Sequence, residues 1–458
     1  MNKNKLGFYS IILLTINSII GIGIFLTPGD VIRNSGELAP FVYLLAGILA
    51  SLLAITFASA AKYVSKPGSS YAYTKAGFGS GVGLYVGITR FVTASIAWGT
   101  LAAAAVKSVM AIFKLDINDL KLVTIGFIIL MLALSLIHMY GTRIFKYFNN
   151  ISTIGKLFAL ITVIISGVVL VLFMGVNRTA ELKEVAGIVS SKEVSLSMIV
   201  VATLSAFYAY SGFEGVASGT DDMQNPSKDL PIALPLGMLI IGVIYISIIL
   251  TAIYVNPKGL LESKETITLI SVFDNEIIRS IVFVGSLLSI FGINAASSFH
   301  TPRILEAMAN EKQISKFFSK RTKHDFPLNA YIITALFAIV IPLTFEFNVG
   351  RIAVLSSISR FIQFILVPIA VMLFFFGKQK GEVNPNVKRN FFLDVIIPIL
   401  ALGFSLFLLI NFNWKGQFTI NINGVPSLNY YAIIALIIGY VIIPFILYLN
   451  MKKMSKNN

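Results

Sequence analysis

A dozen apolar runs, each closed by charge at its ends, constrain this chain more than any other feature. They fall near residues 7–27, 38–61, 81–113, 121–140, 150–174, 195–220, 235–256, 279–301, 328–346, 349–376, 393–413 and 429–449. A helix needs about 20 consecutive apolar residues to cross the hydrocarbon of a bilayer. The expected fold is therefore an all-α membrane protein of about 12 transmembrane helices. Only 12% of the 458 residues are charged, about half the share of a soluble domain, which excludes a soluble enzyme and a disordered chain. The first run lacks a small-residue cleavage site and leads into further spans, so it reads as helix 1 and not as a removed signal. Cysteine is absent, which excludes thiol catalysis, cysteine-bound metals and disulfides. His138, His300 and His324 are scattered, and no metal is expected. No Walker, Rossmann or zincin motif is present. ATP-driven transport, enzymatic catalysis and a cofactor have no support.

The net charge of +15 follows from topology. With the N-terminus placed in the cytoplasm, inside segments hold about 21 basic residues against roughly 11 outside, as the positive-inside rule requires. Both termini are expected in the cytoplasm, with the cell membrane and its lipids as surroundings. No nucleic-acid partner is expected.

Two spans carry a break. Helix 1 contains Gly21-Ile22-Gly23-Ile24-Phe25, followed by Thr27-Pro28-Gly29; helix 6 contains Ser211-Gly212-Phe213-Glu214. Each glycine weakens a helix interior by about 1 kcal/mol relative to alanine, and unwound backbone at membrane depth must find partners in protein, water or ligand. Close helix packing through small residues is the competing reading of Gly-x-Gly. Helices 1 and 6 each open a set of five spans. Five is odd, so the second set enters from the opposite side. The expected architecture is a five-plus-five inverted repeat with discontinuous helices 1 and 6 and a midplane substrate site. The repeats are residues 1–174 and 195–376, with helices 11 and 12 and a cytoplasmic tail in 393–458.

An unwound helix exposes N–H groups at one end and carbonyls at the other. The N–H end suits a carboxylate and the carbonyl end suits an ammonium group. Together they match the backbone of an α-amino acid. In the Gly21–Ile24 break, the amides of Ile22, Gly23 and Ile24 would hold the carboxylate. The carbonyls of Ile19, Ile20, Tyr208 and Ser211 would hold the amine.

These residues resemble the amino acid–polyamine–organocation permeases. Gly21-Ile22-Gly23-Ile24-Phe25 is similar to that family's G-x-G-[IV]-F signature, and Phe207 to Glu214 to its helix 6 motif. Asn225-Pro226-Ser227-Lys228-Asp229-Leu230-Pro231 is similar to its loop after helix 6. Arg303 to Ala309, Phe317-Phe318 and Pro327 to Ala330 resemble its segment after helix 8. Four motifs in order over residues 7–345 are a specific match. The resemblance implies secondary transport of an amino acid or related amine by alternating access. It departs at Ile22, where many members carry a small residue, and this bulk argues against large substrates.

Charges within the spans are functional candidates by default. Lys156 follows Asn149-Asn150-Ile151-Ser152-Thr153-Ile154-Gly155 in helix 5. The resemblance implies that it fills the place of a sodium ion, touching unwound helix 1 and a serine of helix 8, for which Ser297 and Ser298 are the candidates. Lys156 is thus expected to couple transport to a proton without sodium; the alternative is an interfacial lysine snorkelling to the cytoplasmic headgroups. Glu214 adjoins the second break and is read as a gate or as an acceptor for unwound backbone; the alternative is a pair with a cationic substrate. The resemblance implies that Tyr208 covers the substrate. Arg360 is a candidate ion-pair partner for an intramembrane acid, whereas Arg90 and Lys107 read as snorkelling residues. Trp98 faces either the pocket or a neighbouring helix. The leading reading is a proton-coupled amino acid importer. The rivals are an exchanger on the same fold and, from another class, a channel or receptor.

Overall fold

The computed structural model describes residues 5–21, 23–117, 119–140, 142–182, 194–263, 268–344, 349–412, 414–422 and 425–456. Among them, ten helical stretches are long and apolar enough to cross a membrane, from Thr27–Tyr63 to Ala432–Lys453, and Phe8–Ile19 and Leu328–Leu343 are shorter apolar helices. The outward faces are greasy. On Leu120–Met139, Ile129 and Leu132 are about 60% exposed while Val123 and Phe127 are fully buried. Apolar side chains on both faces of a helix are what lipid outside and protein inside demand. The chain is a multi-pass helical membrane protein.

The α-helices are α1 (Phe8–Ile19), α2 (Gly23–Ser35), α3 (Ala39–Tyr63), α4 (Ser70–Phe78), α5 (Ser80–Ile112), α6 (Leu120–Met139), α7 (Thr142–Val168), α8 (Leu196–Ala209) and α9 (Phe213–Val216). They continue with α10 (Pro226–Val255), α11 (Pro257–Glu262), α12 (Glu276–Asn310), α13 (Leu328–Thr344), α14 (Val349–Phe375), α15 (Ile397–Asn411), α16 (Trp414–Gln417), α17 (Tyr430–Leu436) and α18 (Ile443–Lys456). At the centre, α1 packs on α7, α10 and α12, α2 packs on α8, and α12 packs on α5 and α7. Strands β1 (Thr419–Ile422) and β2 (Val425–Leu428) form a short hairpin between the last two spans, with Thr419 opposite Leu428.

Two spans are longer than their apolar runs. Helix α10 begins at Pro226, ahead of the expected 235. Proline is tolerated at a helix start because that N–H has no partner there, but Lys228, Asp229 and Pro231 hide the start from a hydropathy reading. Helix α12 runs on to Asn310, past the expected 301, because its charges are paired. Arg303 Nε donates to Asp222 Oδ2 at 2.6 Å. Glu306 takes a two-pronged grip from Arg321, at 2.5 and 3.0 Å. The same end of the bundle holds Leu6, whose N–H donates to the Asp222 carbonyl at 2.8 Å.

At the C-cap of α12, Glu311 takes Lys75 at 2.6 Å and Lys66 at 3.1 Å, tying α12 to the segment around α4. Partial burial pushes the Glu311 carboxyl up, but the hydrogen bonds from Lys75 and Lys66 outweigh it and hold the group below its ordinary 4.5. A depressed carboxylate adds stability above its unfolded value and loses it as the pH falls through the folded value. Glu311→Gln is therefore expected to flatten the loss of thermal stability on acidification below pH 4.5. Melting curves of detergent-solubilised protein check this; equal acid slopes in variant and wild type would refute it.

Candidate functional site

Both glycine-marked breaks are present. Helix α1 ends at Ile19, Ile20 turns away with ψ 86°, and the chain resumes as α2 at Gly23. Gly21 N–H donates back to the Ile19 carbonyl at 2.8 Å. Ile22, expected to offer its amide, lies outside the described residues. Helix α8 ends at Ala209, and α9 begins after Gly212, whose φ is 124°.

The breaks touch. A β-carbon at Gly212 would stand 2.0 Å from the Ser18 carbonyl oxygen, and one at Gly23 would stand 3.0 Å from the Ala209 Cα. No residue but glycine fits at position 212, on both the steric and the conformational count. The orphaned helix-end carbonyl of Ala209 accepts the Tyr245 hydroxyl at 3.1 Å, as buried backbone must be satisfied.

Lys156 is fully buried and its Nζ donates to the Ile20 carbonyl at 2.5 Å. The serine that joins it is Ser289, whose Oγ lies 3.0 Å from the Ile20 and Gly21 carbonyl oxygens alike. The expected serines lie elsewhere. Ser298 bonds His138 Nε2 at 2.7 Å, inside a stack in which the His138 ring lies 5.2 Å from Phe326. Ser297 lines the cavity described below. Eight residues separate Ser289 from Ser297, about 12 Å along a helix at 1.5 Å per residue, so a two-turn error in depth selects the wrong serine. Asn17 completes the junction, donating to Asn149 Oδ1 at 2.8 Å and to the Gly292 carbonyl at 2.9 Å. A β-carbon at position 292 would lie 2.0 Å from Ser152 Oγ and 2.5 Å from Asn17 Oδ1, so glycine there lets these polar groups meet.

Two carbonyls assigned to a substrate amine are already in use. Ile20 accepts from both Lys156 and Ser289, which fills its two lone pairs. Tyr208 accepts from the backbone and side chain of Ser211, at 3.2 and 2.7 Å. Beside the breaks lies a cavity of about 80 Å³, lined by Ser18, Ile19, Gly21, Gly23, Tyr208 and Ser211, with Arg90, Glu214, Ser297, His300, Thr301 and Arg360 as its further polar groups. Tyr208 sits at the rim, 48% exposed, with the Arg360 guanidinium 5.5 Å from its ring centre. Ile24 is fully buried in the first turn of α2.

Glu214 caps the second break, its Oε2 accepting the Gly212 N–H at 2.8 Å. Its Oε1 faces Arg360 Nε at 3.5 Å and Arg90 Nη2 at 3.7 Å. Arg360 thus finds the intramembrane acid expected for it. Arg90 does not snorkel: it is 7% exposed and reaches inward, because α5 turns that face toward Glu214. Lys107 is half-buried. Trp98 packs on Tyr331, with ring centres 5.7 Å apart. Sequence reasoning missed Ser289, Asn17 and His300. The signal available was their polarity within apolar spans.

Comparison with known proteins places the sequence in a family. The sequence profile of the amino acid permease family matches residues 6–443. An uncharacterized transporter of Mycobacterium tuberculosis is 37% identical, over 98% of this chain and 95% of its own. The serine/threonine exchanger SteT of Bacillus subtilis is 28% identical over 89% of this chain and 90% of its own. The branched-chain amino acid permease BcaP of the same organism is 25% identical over 90% and 89%. With a profile match that runs nearly end to end, two broken helices in contact and a cavity beside them, this chain belongs to the amino acid permease family.

Proposed function

We propose that this protein imports an amino acid across the cytoplasmic membrane by alternating access, coupled to protons and independent of sodium. Twelve spans carry the reading. The shorter helices α1 and α13 complete the set, and α2 continues the first span past its break. Residues 1–174 and 195–376 form the two inverted repeats, 393–458 add the last two spans, and both termini face the cytoplasm. The amides of Gly23 and Ile24, with that of Ile22, hold the substrate carboxylate at the positive end of α2. The amine meets the carbonyls of Ile19 and Ser211 beside Gly21. Tyr208 and Glu214 gate the cavity.

The observation that carries the coupling is the Lys156 ammonium on the Ile20 carbonyl, with Ser289 beside it. A fixed cation there occupies ground that a sodium ion would need, and backbone carbonyls of a broken helix are the ligands sodium takes in such folds. Loss or gain of the lysine proton changes the hold on the α1 break, which links protonation to the hinge between the half-helices. The similarity to an exchanger supports a second reading, obligatory exchange on the same site. Proteoliposomes separate the two. A symporter accumulates substrate on an imposed pH gradient with an empty lumen, in potassium as well as in sodium. An exchanger takes up substrate only when the lumen is preloaded. A sodium requirement would refute the proposed coupling.

A further inference from the structure

Among the described residues, three charged side chains meet at the cavity, and they do not balance. Arg90 Nη2 and Arg360 Nε approach the same oxygen, Glu214 Oε1, at 3.7 and 3.5 Å. Neither approach is a hydrogen bond: Glu214 Oε1 and Arg360 Nε are both buried without a hydrogen-bond partner. The other carboxylate oxygen is committed to the Gly212 N–H. Guanidinium groups stay protonated in proteins, so two positive charges share one negative charge. They arrive from separate elements, Arg90 on α5, Glu214 on α9 and Arg360 on α14. The remaining titratable side chains at the cavity are Tyr208 at its rim and His300 on α12; His300 is 7% exposed with Nδ1 unpartnered, and an imidazole supplies no negative charge.

An excess charge at this depth is costly unless a ligand answers it. The planar guanidinium fork matches a carboxylate. A cationic substrate, by contrast, would meet two like charges. Resting on the amino acid reading of this cavity, we infer that the substrate carries a second carboxylate, received between Arg90 and Arg360: an acidic amino acid. Its net charge of minus one brings the cavity to neutrality. A volume of about 80 Å³ holds only about three waters at roughly 30 Å³ each, so the shorter aspartate is expected ahead of glutamate.

The test uses the purified full chain in detergent and a thermal-shift panel of aspartate, glutamate, serine, leucine, lysine and succinate, since a ligand of the folded state raises its melting temperature. Aspartate is expected to give the largest shift and to be taken up by proteoliposomes. Arg360→Gln is expected to weaken aspartate binding by roughly 30-fold, the low end for breaking one partner of a buried charge pair, with Arg360→Lys recovering part of the loss. If Arg360→Gln does not fold, the wild-type panel and Arg360→Lys decide. Stabilisation by serine, leucine or lysine but not by aspartate overturns the inference and leaves amino acid transport standing. A panel in which no amino acid binds overturns the transport reading itself. Succinate matching aspartate overturns recognition of the ammonium group and with it the acidic amino acid.

Discussion

Lys156→Met is expected to abolish proton-driven uptake, down to the level of protein-free liposomes, while the protein still folds. Lys156 is fully buried, and a buried ion is held at a desolvation cost that its partners only offset. Methionine fills most of the same volume without the charge, and replacing buried charges with apolar groups of similar size is commonly neutral or stabilising by about 1–4 kcal/mol. The Ile20 carbonyl keeps Ser289 as a donor. The melting temperature is therefore expected to hold or rise, while the link between protonation and the α1 break is gone. Lys156→Ala is the harsher variant, because truncating a large buried side chain to alanine also opens a cavity at about 2–5 kcal/mol. Uptake driven by a pH gradient in liposomes, read beside the melting curve, separates the two effects. Undiminished gradient-driven uptake by Lys156→Met would sink the coupling role.

The second large effect is steric. Gly212→Ala places a methyl 2.0 Å from the Ser18 carbonyl oxygen, where ordinary contact needs well over 3 Å, and the residue also sits at φ 124°. Overpacking costs about 1–3 kcal/mol, and a non-glycine residue forced into such backbone costs about as much again. Because the clash is with the backbone of α1, no side chain can rotate to relieve it. The breaks must part, which removes substrate binding along with several degrees of thermal stability. Gly242→Ala is the control: nothing lies within 4 Å of its added carbon and alanine is the better helix former. Ligand-induced stabilisation surviving in Gly212→Ala would refute contact between the breaks as a requirement for the site.

Much of this architecture is legible in the residues alone. Runs of apolar side chains mark the spans because transfer into hydrocarbon adds up locally along the chain. Gly21, Gly23 and Gly212 mark the breaks because a glycine's preference is a property of its own backbone. Arg303 and Glu306 were harder to place. Their charges read as the end of a span until Asp222 and Arg321, distant in sequence, arrived to pair with them. Arg90 shows the same limit. Charge within a span signals function, but whether it snorkels or turns inward depends on which way α5 faces.

By itself, then, the sequence determined a multi-span helical protein, the two places where helices fail and the presence of a lysine within the fifth span. Only the tertiary structure decided that Ser289 meets the Ile20 carbonyl, that Lys156 and Ser211 take carbonyls assigned to the substrate, and that Arg90 and Arg360 converge on Glu214. The reason is geometric. Each residue along a helix advances about 1.5 Å and turns about 100°. A one-residue error in depth or rotation redirects a side chain to another neighbour, and those two quantities are set by packing between helices far apart in the chain.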